Sequence, residues 1–393
     1  MPLFDIERAR RETPGCTNVL HLNNAGSSLM PEPVLAATIG YLQLESQFGG
    51  YEAEEKQRTT LEHAYAAAAT LINGAPEEIA FVENATHAWN AAFSAIPFKE
   101  GDRILTSMAE YASNYISYIQ ASKRTGVIVE PIADDVYGQV SLEALRNMLD
   151  ERVKLISVTH VPTNGGLVNP IEGIGKIARD AGILYLVDAC QSVGQMPIDV
   201  QKIGCDMLST TGRKYLRAPR GTGFLYVRRG LIEQLEPTGI DMHSANWVAR
   251  DRYEVRSDAR RFENFETSYA SKVGLTTAID YALQWGIDNI WRRIKLLSYQ
   301  LRTQLSPLPG VIVHDRGITQ CGIVTFTIEG LDPEEIRQKL ALQNINVSVT
   351  GRSSTLLDMT ARGLTTMVRA SVHYYNTEEE LTRFTAAIEQ LAE

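Results

Sequence analysis

The chain has 393 residues, 44% of them apolar and 22% charged, with a net charge of −9 at neutral pH. That composition suits a globular protein with room for two domains, its acidity argues against nucleic acid or anionic membrane as partners, and no apolar run approaches the ~20 residues of a membrane span. The start, Met1-Pro-Leu-Phe-Asp-Ile-Glu-Arg8, lacks the basic and apolar stretches of a secretory signal, and the four cysteines (16, 190, 205 and 321) have no metal-type spacing, so a cytoplasmic protein with reduced thiols and no metal site is expected.

Short apolar runs alternate with helical patterns through the first two thirds of the chain. Strands are predicted at residues 79–82, 103–106, 126–130, 153–158, 183–187 and 224–227, with helices over 142–150 and 171–181 between them. This alternation predicts an α/β domain with a mainly parallel sheet. After about residue 285 the pattern changes. A helix over 289–305 precedes strands at 310–314 and 321–327, a helix from 332, strands near 345–349 and 368–372, and a last helix from 378. That reads as a smaller α+β domain.

Polar clusters fall where the predicted strands end, the place where open parallel sheets bind ligands. Asn84-Ala85-Thr86-His87 opens a helix, whose free N–H groups can hold a phosphate or simply be capped. In Glu110-Tyr111-Ala-Ser-Asn114, Tyr111 can lie over a flat ligand or pack in the core. Thr159-His160-Val-Pro-Thr163-Asn164-Gly-Gly166 offers Thr163 or Asn164 as donors to a phenolic oxygen, with two glycines permitting an unusual backbone path. Asp188 ends a buried apolar run, with Cys190 and Gln191 just beyond it. Thr211, Arg213 and Lys214 come one strand later, and Arg213 together with burial would lower the lysine pKa. Arg369 lies on an apolar strand of the second domain, where it needs either a buried acid or a substrate carboxylate. A carboxylate and a lysine on successive strand ends suit pyridoxal 5′-phosphate (PLP), which takes a lysine as Schiff-base partner and an acid opposite its ring nitrogen.

The ordered motifs Asn24-Ala25-Gly26-Ser, Asn84-Ala-Thr-His87, Glu110-Tyr-Ala-Ser-Asn114, Asp188-Ala-Cys-Gln191, Thr211-Gly-Arg-Lys214, Gly221-Thr-Gly223 and Arg369-Ala-Ser resemble class V aminotransferase-type, PLP-dependent enzymes of fold type I. The resemblance implies a seven-stranded, mainly parallel sheet in a large domain of residues 20–280, with 1–19 and 281–393 forming the small domain. It implies Lys214 and Asp188 as catalytic residues. Ala85, Thr86, Thr211 and Arg213 would bind the phosphate, Tyr111 would stack on the ring, Gln191 would approach the ring oxygen, and His87 and Asn164 would also belong to the cofactor site. Thr267 would serve the cofactor of a neighbouring subunit in a homodimer with shared sites. Asn24, Ala25, Gly26 and Arg369 would meet the amino-acid substrate.

One departure stands out. Cysteine desulfurases carry a mobile nucleophilic cysteine shortly before the Arg-Ala-Ser motif, where this chain reads Thr350-Gly-Arg-Ser353-Ser354-Thr355. The expected activity is therefore a C–S β-lyase acting on cysteine or an S-substituted cysteine conjugate. The alternatives are a racemase or epimerase, with Tyr111 or His160 as second base, an aminotransferase, or a decarboxylation-coupled deaminase. A non-catalytic relative would have no use for both Lys214 and Asp188.

Overall fold

A computed structural model describes residues 4–393. The chain opens with α1 (Ile6–Arg11), β1 (Leu20–His21) and two long helices, α2 (Glu32–Phe48) and α3 (Gly50–Ile72). The large domain continues with β2 (Ile79–Val82), α4 (Ala85–Ser94), β3 (Arg103–Ser107), α5 (Ala112–Thr125), β4 (Ile128–Ile132), α6 (Leu142–Asn147), β5 (Val153–Thr159), α7 (Ile171–Asp180), β6 (Leu184–Asp188), α8 (Val200–Ile203), β7 (Met207–Thr211), β8 (Gly223–Val227) and α9 (Arg229–Ile232). A hairpin of β9 (Ala245–Ala249) and β10 (Arg252–Val255) then leads into α10 (Tyr269–Trp285). The small domain holds α11 (Ile287–Leu305), β11 (Val311–Val313), β12 (Ile323–Ile328), α12 (Pro333–Ala341), β13 (Ile345–Asn346), β14 (Ser348–Gly351), α13 (Leu356–Ala361), β15 (Thr366–Ser371) and α14 (Glu378–Ala392).

The large sheet has seven strands in the order β2-β8-β7-β6-β5-β3-β4, all parallel except β8, which runs antiparallel to both neighbours. This is the expected α/β architecture. Side-chain alternation divides the core between its two faces. Tyr185 and Val187 of β6 join the cluster that contains Ala68 of α3 and Ile174 of α7, whereas Leu186 joins the cluster of Trp89 on α4 and Tyr118 on α5. Asp188, two residues after Leu186, therefore faces α5, as do Ser157 and Thr159, which follow Leu155 on β5. The polar end of the sheet is turned toward one helix by the strand period alone.

The small domain is a four-stranded antiparallel sheet, β11-β12-β15-β14. β1 pairs in parallel with β13, and Asn23 bridges Ser371. The division expected at residue 20 thus falls inside a strand that pairs with the small domain, and residues 1–3 of that call lie outside the described residues. The single strand expected near 345–349 divides in two, because Ile345 and Asn346 pair with β1 while Ser348 onward pairs with β15.

A buried ion pair within the small domain reaches across to one loop of the large domain. Arg302 donates to Asp315 at 2.7 Å and to the carbonyls of Cys321 and Ile323, and Asp315 accepts from the Gly166 and Thr325 amides. A Cβ on Gly166 would stand 2.3 Å from the Arg302 guanidinium, so this glycine serves interdomain contact and not a ligand. Replacing Asp315 by Ala strands a buried guanidinium, and denaturant unfolding should show a loss of about 3–5 kcal/mol. A loss as small as that of a surface pair would mean that this buried pair does not stabilise the small domain.

Candidate active site

A cavity of about 260 Å³ opens where β5, β6 and β7 end and α4 begins. Asp188 and Lys214 line it together, as do Ala85, Thr86, Tyr111, Gln191, Thr211 and Arg213. Asp188 is 4% exposed. One of its oxygens accepts from the Cys190 amide at 3.0 Å and the other from Asn114 Nδ2 at 2.9 Å. Two donors from different elements therefore fix the carboxylate plane.

Lys214 follows β7 by three residues. Burial pushes its ammonium below the ordinary lysine range, and the neighbouring Arg213 and Arg369 push the same way against Cys190 and Asp188. The amine is thus poised to act as nucleophile and base. Arg213 is itself lowered, by burial and by Arg220, and donates to the Gly26 carbonyl.

The N-terminus of α4 forms the opposite wall. Asn84 caps the helix by accepting from the His87 amide at 2.9 Å. The amides of Ala85 and Thr86 make no such capping bond and lie at the positive end of the helix. A Cβ on Gly223 would come within 3.3 Å of the Ala85 nitrogen and 2.6 Å of the Thr210 carbonyl, so only glycine lets β8 pass this close. With Thr86, Thr211 and Arg213 alongside, the wall is chemically an anion cradle. Tyr111, 37% exposed, stands at the mouth with no aromatic neighbour among the described residues.

Gln191 donates to the Ala25 carbonyl at 3.1 Å, and its Oε1 is buried without a partner. That orphaned oxygen, the anion cradle, the lysine and the opposed carboxylate together fit PLP. Lys214 would bind it covalently, Asp188 would meet the ring nitrogen, and the α4 wall would take the phosphate.

Several expected residues stand elsewhere. Asn164 does not line the cavity. Its amide donates to the Gly351 carbonyl at 2.9 Å and Thr355 Oγ1 at 2.8 Å, and it accepts from Thr350, so its hydrogen-bonding capacity is spent between the domains. Thr163 takes the place on the wall. The His87 ring turns back to Glu83, away from the cradle. Thr267 is half-buried ahead of α10 and does not line the cavity of its own chain. Asn24 is fully buried and bonded to the Ser371 carbonyl at 2.7 Å and to Tyr375. The Ala25 amide is taken by Ser371 Oγ. Asn24, Ala25 and Gly26 thus brace Gln191, Arg213 and the small domain through their own polar groups.

Arg369 lies on β15, 8% exposed, and donates to Ser348 Oγ, the Thr163 carbonyl and Thr163 Oγ1 at 2.5 Å. All its partners are neutral oxygens, and burial pushes the guanidinium down to about 10. Arg369 does not itself line the cavity, but it bonds Thr163, which does, and no acid pairs with it among the described residues, so an uncompensated cation stands just behind the wall.

Glu110 and Asn114 were quoted only as part of a motif, yet both belong to the site. Their i, i+4 spacing at a helix start, beside the alternating Ser157 and Thr159, was the available signal. His160 is buried, does not line the cavity, and is pushed down to about 3 by desolvation. It holds no proton to give at neutral pH.

Reduction with borohydride after adding PLP should attach the cofactor to Lys214 alone, and Lys214→Ala should abolish the adduct, as peptide mapping would read. Because the Lys214 pKa is lowered, the neutral amine persists to more acidic pH. The capture rate should therefore reach half-maximum below the roughly 10.4 of an ordinary lysine. An ordinary alkaline profile would contradict the buried setting.

The class-V aminotransferase family profile matches residues 20–384. The chain is 30% identical over 399 residues to a probable cysteine desulfurase of Methanothermobacter thermautotrophicus, covering 100% of this chain and 99% of that one. It is 31% identical to a probable cysteine desulfurase of Xylella fastidiosa, covering 98% and 95%. Among solved structures, apo cysteine desulfurase from Thermococcus onnurineus NA1 superposes with a TM-score of 0.93 at 28% identity over 100% and 99% of the two chains. The cystine C–S lyase C-DES, solved with its product cysteine persulfide, shares the fold with a TM-score of 0.87 at 24% identity, over 96% and 99%. With the Asp188–Lys214 frame in place and the family matched over nearly its whole length, the chain belongs to the class-V aminotransferases, PLP-dependent enzymes of fold type I.

Proposed function

We propose that this enzyme is a C–S β-lyase acting on cysteine or S-substituted cysteine, releasing a thiol, pyruvate and ammonium. The observation that carries this reading is the absence of a poised thiolate at the cavity among the described residues. Cys190 lines the cavity, but burial, followed by the charge of Asp188, pushes its thiol well above the ordinary range. Cys205 and Cys321 are buried in the core cluster, and Cys16 lies near Arg10, far from the strand ends. The segment at the desulfurase cysteine position is a short 3-10 turn, Arg352–Ser354. It is tied by Arg352 to the Leu364 carbonyl at 2.9 Å and flanked by Gly351 and Thr355, both held by Asn164. This segment is anchored at both ends, does not line the cavity, and carries serine where a desulfurase carries its nucleophile.

When bound, PLP supplies the electron sink that acidifies the substrate α-carbon. The protein groups then divide the work. Arg369, desolvated and lacking a carboxylate partner, attracts the substrate carboxylate and fixes the α-carbon. Lys214, its amine freed by the incoming substrate amine, removes the α-proton. The C–S electron pair leaves with sulfur as a thiolate, which takes up a proton. Addition of water to the remaining three-carbon fragment yields pyruvate and ammonium. Asp188, held by the Cys190 amide and Asn114, would face the ring nitrogen.

The racemase alternative loses one of its two second-base candidates, since His160 stands off the cavity wall and desolvation makes its imidazole a weak base. The desulfurase reading, favoured by the names of the relatives, requires a protein thiolate that the cavity does not present.

Incubation should give pyruvate in equal amount to the sulfur product, which is persulfide from cystine, hydrogen sulfide from cysteine and a thiol from S-alkyl cysteines. Arg369→Lys should raise KM with a smaller change in kcat. Alanine as the carbon product would instead indicate transfer of sulfur to the protein and would overturn the lyase reading.

A further inference from the structure

Behind the cavity wall lies a second buried carboxylate that none of the steps above uses. Glu110 is 3% exposed and has no cationic partner among the described residues. It accepts instead from five neutral groups: the Thr159 amide at 3.0 Å, Thr159 Oγ1 at 2.6 Å, Ser107 Oγ at 2.9 Å, Thr106 Oγ1 at 3.2 Å and Asn114 Nδ2 at 2.8 Å. The same Asn114 nitrogen donates to Asp188 at 2.9 Å. One amide thus forks between two carboxylates, spending one hydrogen on each. Keeping both acids buried costs free energy: desolvation raises the Glu110 pKa and Asp188 adds to the effect. A purely structural role at this position would be met more cheaply by an uncharged side chain.

We propose that Glu110 and Asn114 are positioning residues for Asp188. Glu110 fixes the Asn114 amide, and Asn114 fixes the Asp188 carboxylate in the one orientation that meets the ring nitrogen of bound PLP. The geometry requires both partners. α5 begins at Ala112, so Asn114 sits in its first turn, with one neighbour on the strand side and the other at the end of β6. Without Glu110 the amide can rotate away, and without Asn114 one Asp188 oxygen loses the donor that α5 brings to it. The inference rests on the cofactor, not on which substrate bond is cleaved.

The test compares wild type with Asn114→Ala, Asn114→Ser and Glu110→Gln, measuring the dissociation constant of PLP from the apoenzyme. A parallel series uses the PLP analogue whose ring nitrogen is replaced by carbon. Circular dichroism of each apo variant checks folding; the near-isosteric Glu110→Gln variant and the polar Asn114→Ser variant keep the comparison open if the alanine variant does not fold. With PLP, each folded variant should bind about tenfold more weakly, as expected for losing one hydrogen bond to a charged group. With the carbon analogue, which offers Asp188 nothing to bond, wild type and variants should bind alike. An equal loss with both cofactors would show a merely structural role, and no loss with PLP would equally overturn the proposal. These readouts are independent of turnover. A failure of the lyase reading would leave wild-type PLP binding intact, whereas a failure here would leave pyruvate formation in place.

Discussion

Everything at this site depends on holding a buried carboxylate in one orientation at the edge of a hydrophobic sheet. Asp188 terminates β6, a strand whose preceding residues are almost wholly buried. A charge there is tolerable only because the Cys190 amide and Asn114 hold both its oxygens. The strand period then determines the rest. Asp188 faces the same side as Leu186, so α5 must bring a donor to it, and α5 is aligned by the Glu110 cluster. Lys214, one strand further on, comes to the same cavity because parallel strands deliver all their ends to one edge.

Much of this was legible in the residues. Continuous apolar runs marked the central strands, and the polar clusters following them marked the edge where ligands bind. Thr86, Asp188, Gln191, Thr211, Arg213 and Lys214 meet at one cavity because each immediately follows a strand or opens a helix, where spacing along the chain translates directly into position. The parts that escaped depend on contacts between distant segments. Asn164 and Thr163 are adjacent in the chain and chemically similar. Only the approach of Gly351 and Thr355, nearly 190 residues away, draws the amide out of the site. Asn24 likewise resembled a substrate ligand until Ser371 and Tyr375 were seen to enclose it.

The helices that went unpredicted have a different cause. α2 buries Val34 and Tyr41 yet leaves Leu35, Ile39, Leu42 and Phe48 exposed, so its apolar residues fall on more than one face and the 3.6-residue period is blurred. The separation of β13 from β14 was invisible because the partner of β13, Leu20 and His21, lies at the opposite end of the chain.

The proposed lyase reading stands or falls on whether sulfur released at this frame passes to a protein cysteine. Mass spectrometry of the intact protein after turnover with sulfur-labelled cystine tests it most directly. The account predicts that all label is recovered in small molecules and that Cys16, Cys190, Cys205 and Cys321 gain no sulfur. A persulfide on any of the four, formed and discharged at the rate of turnover, would contradict it.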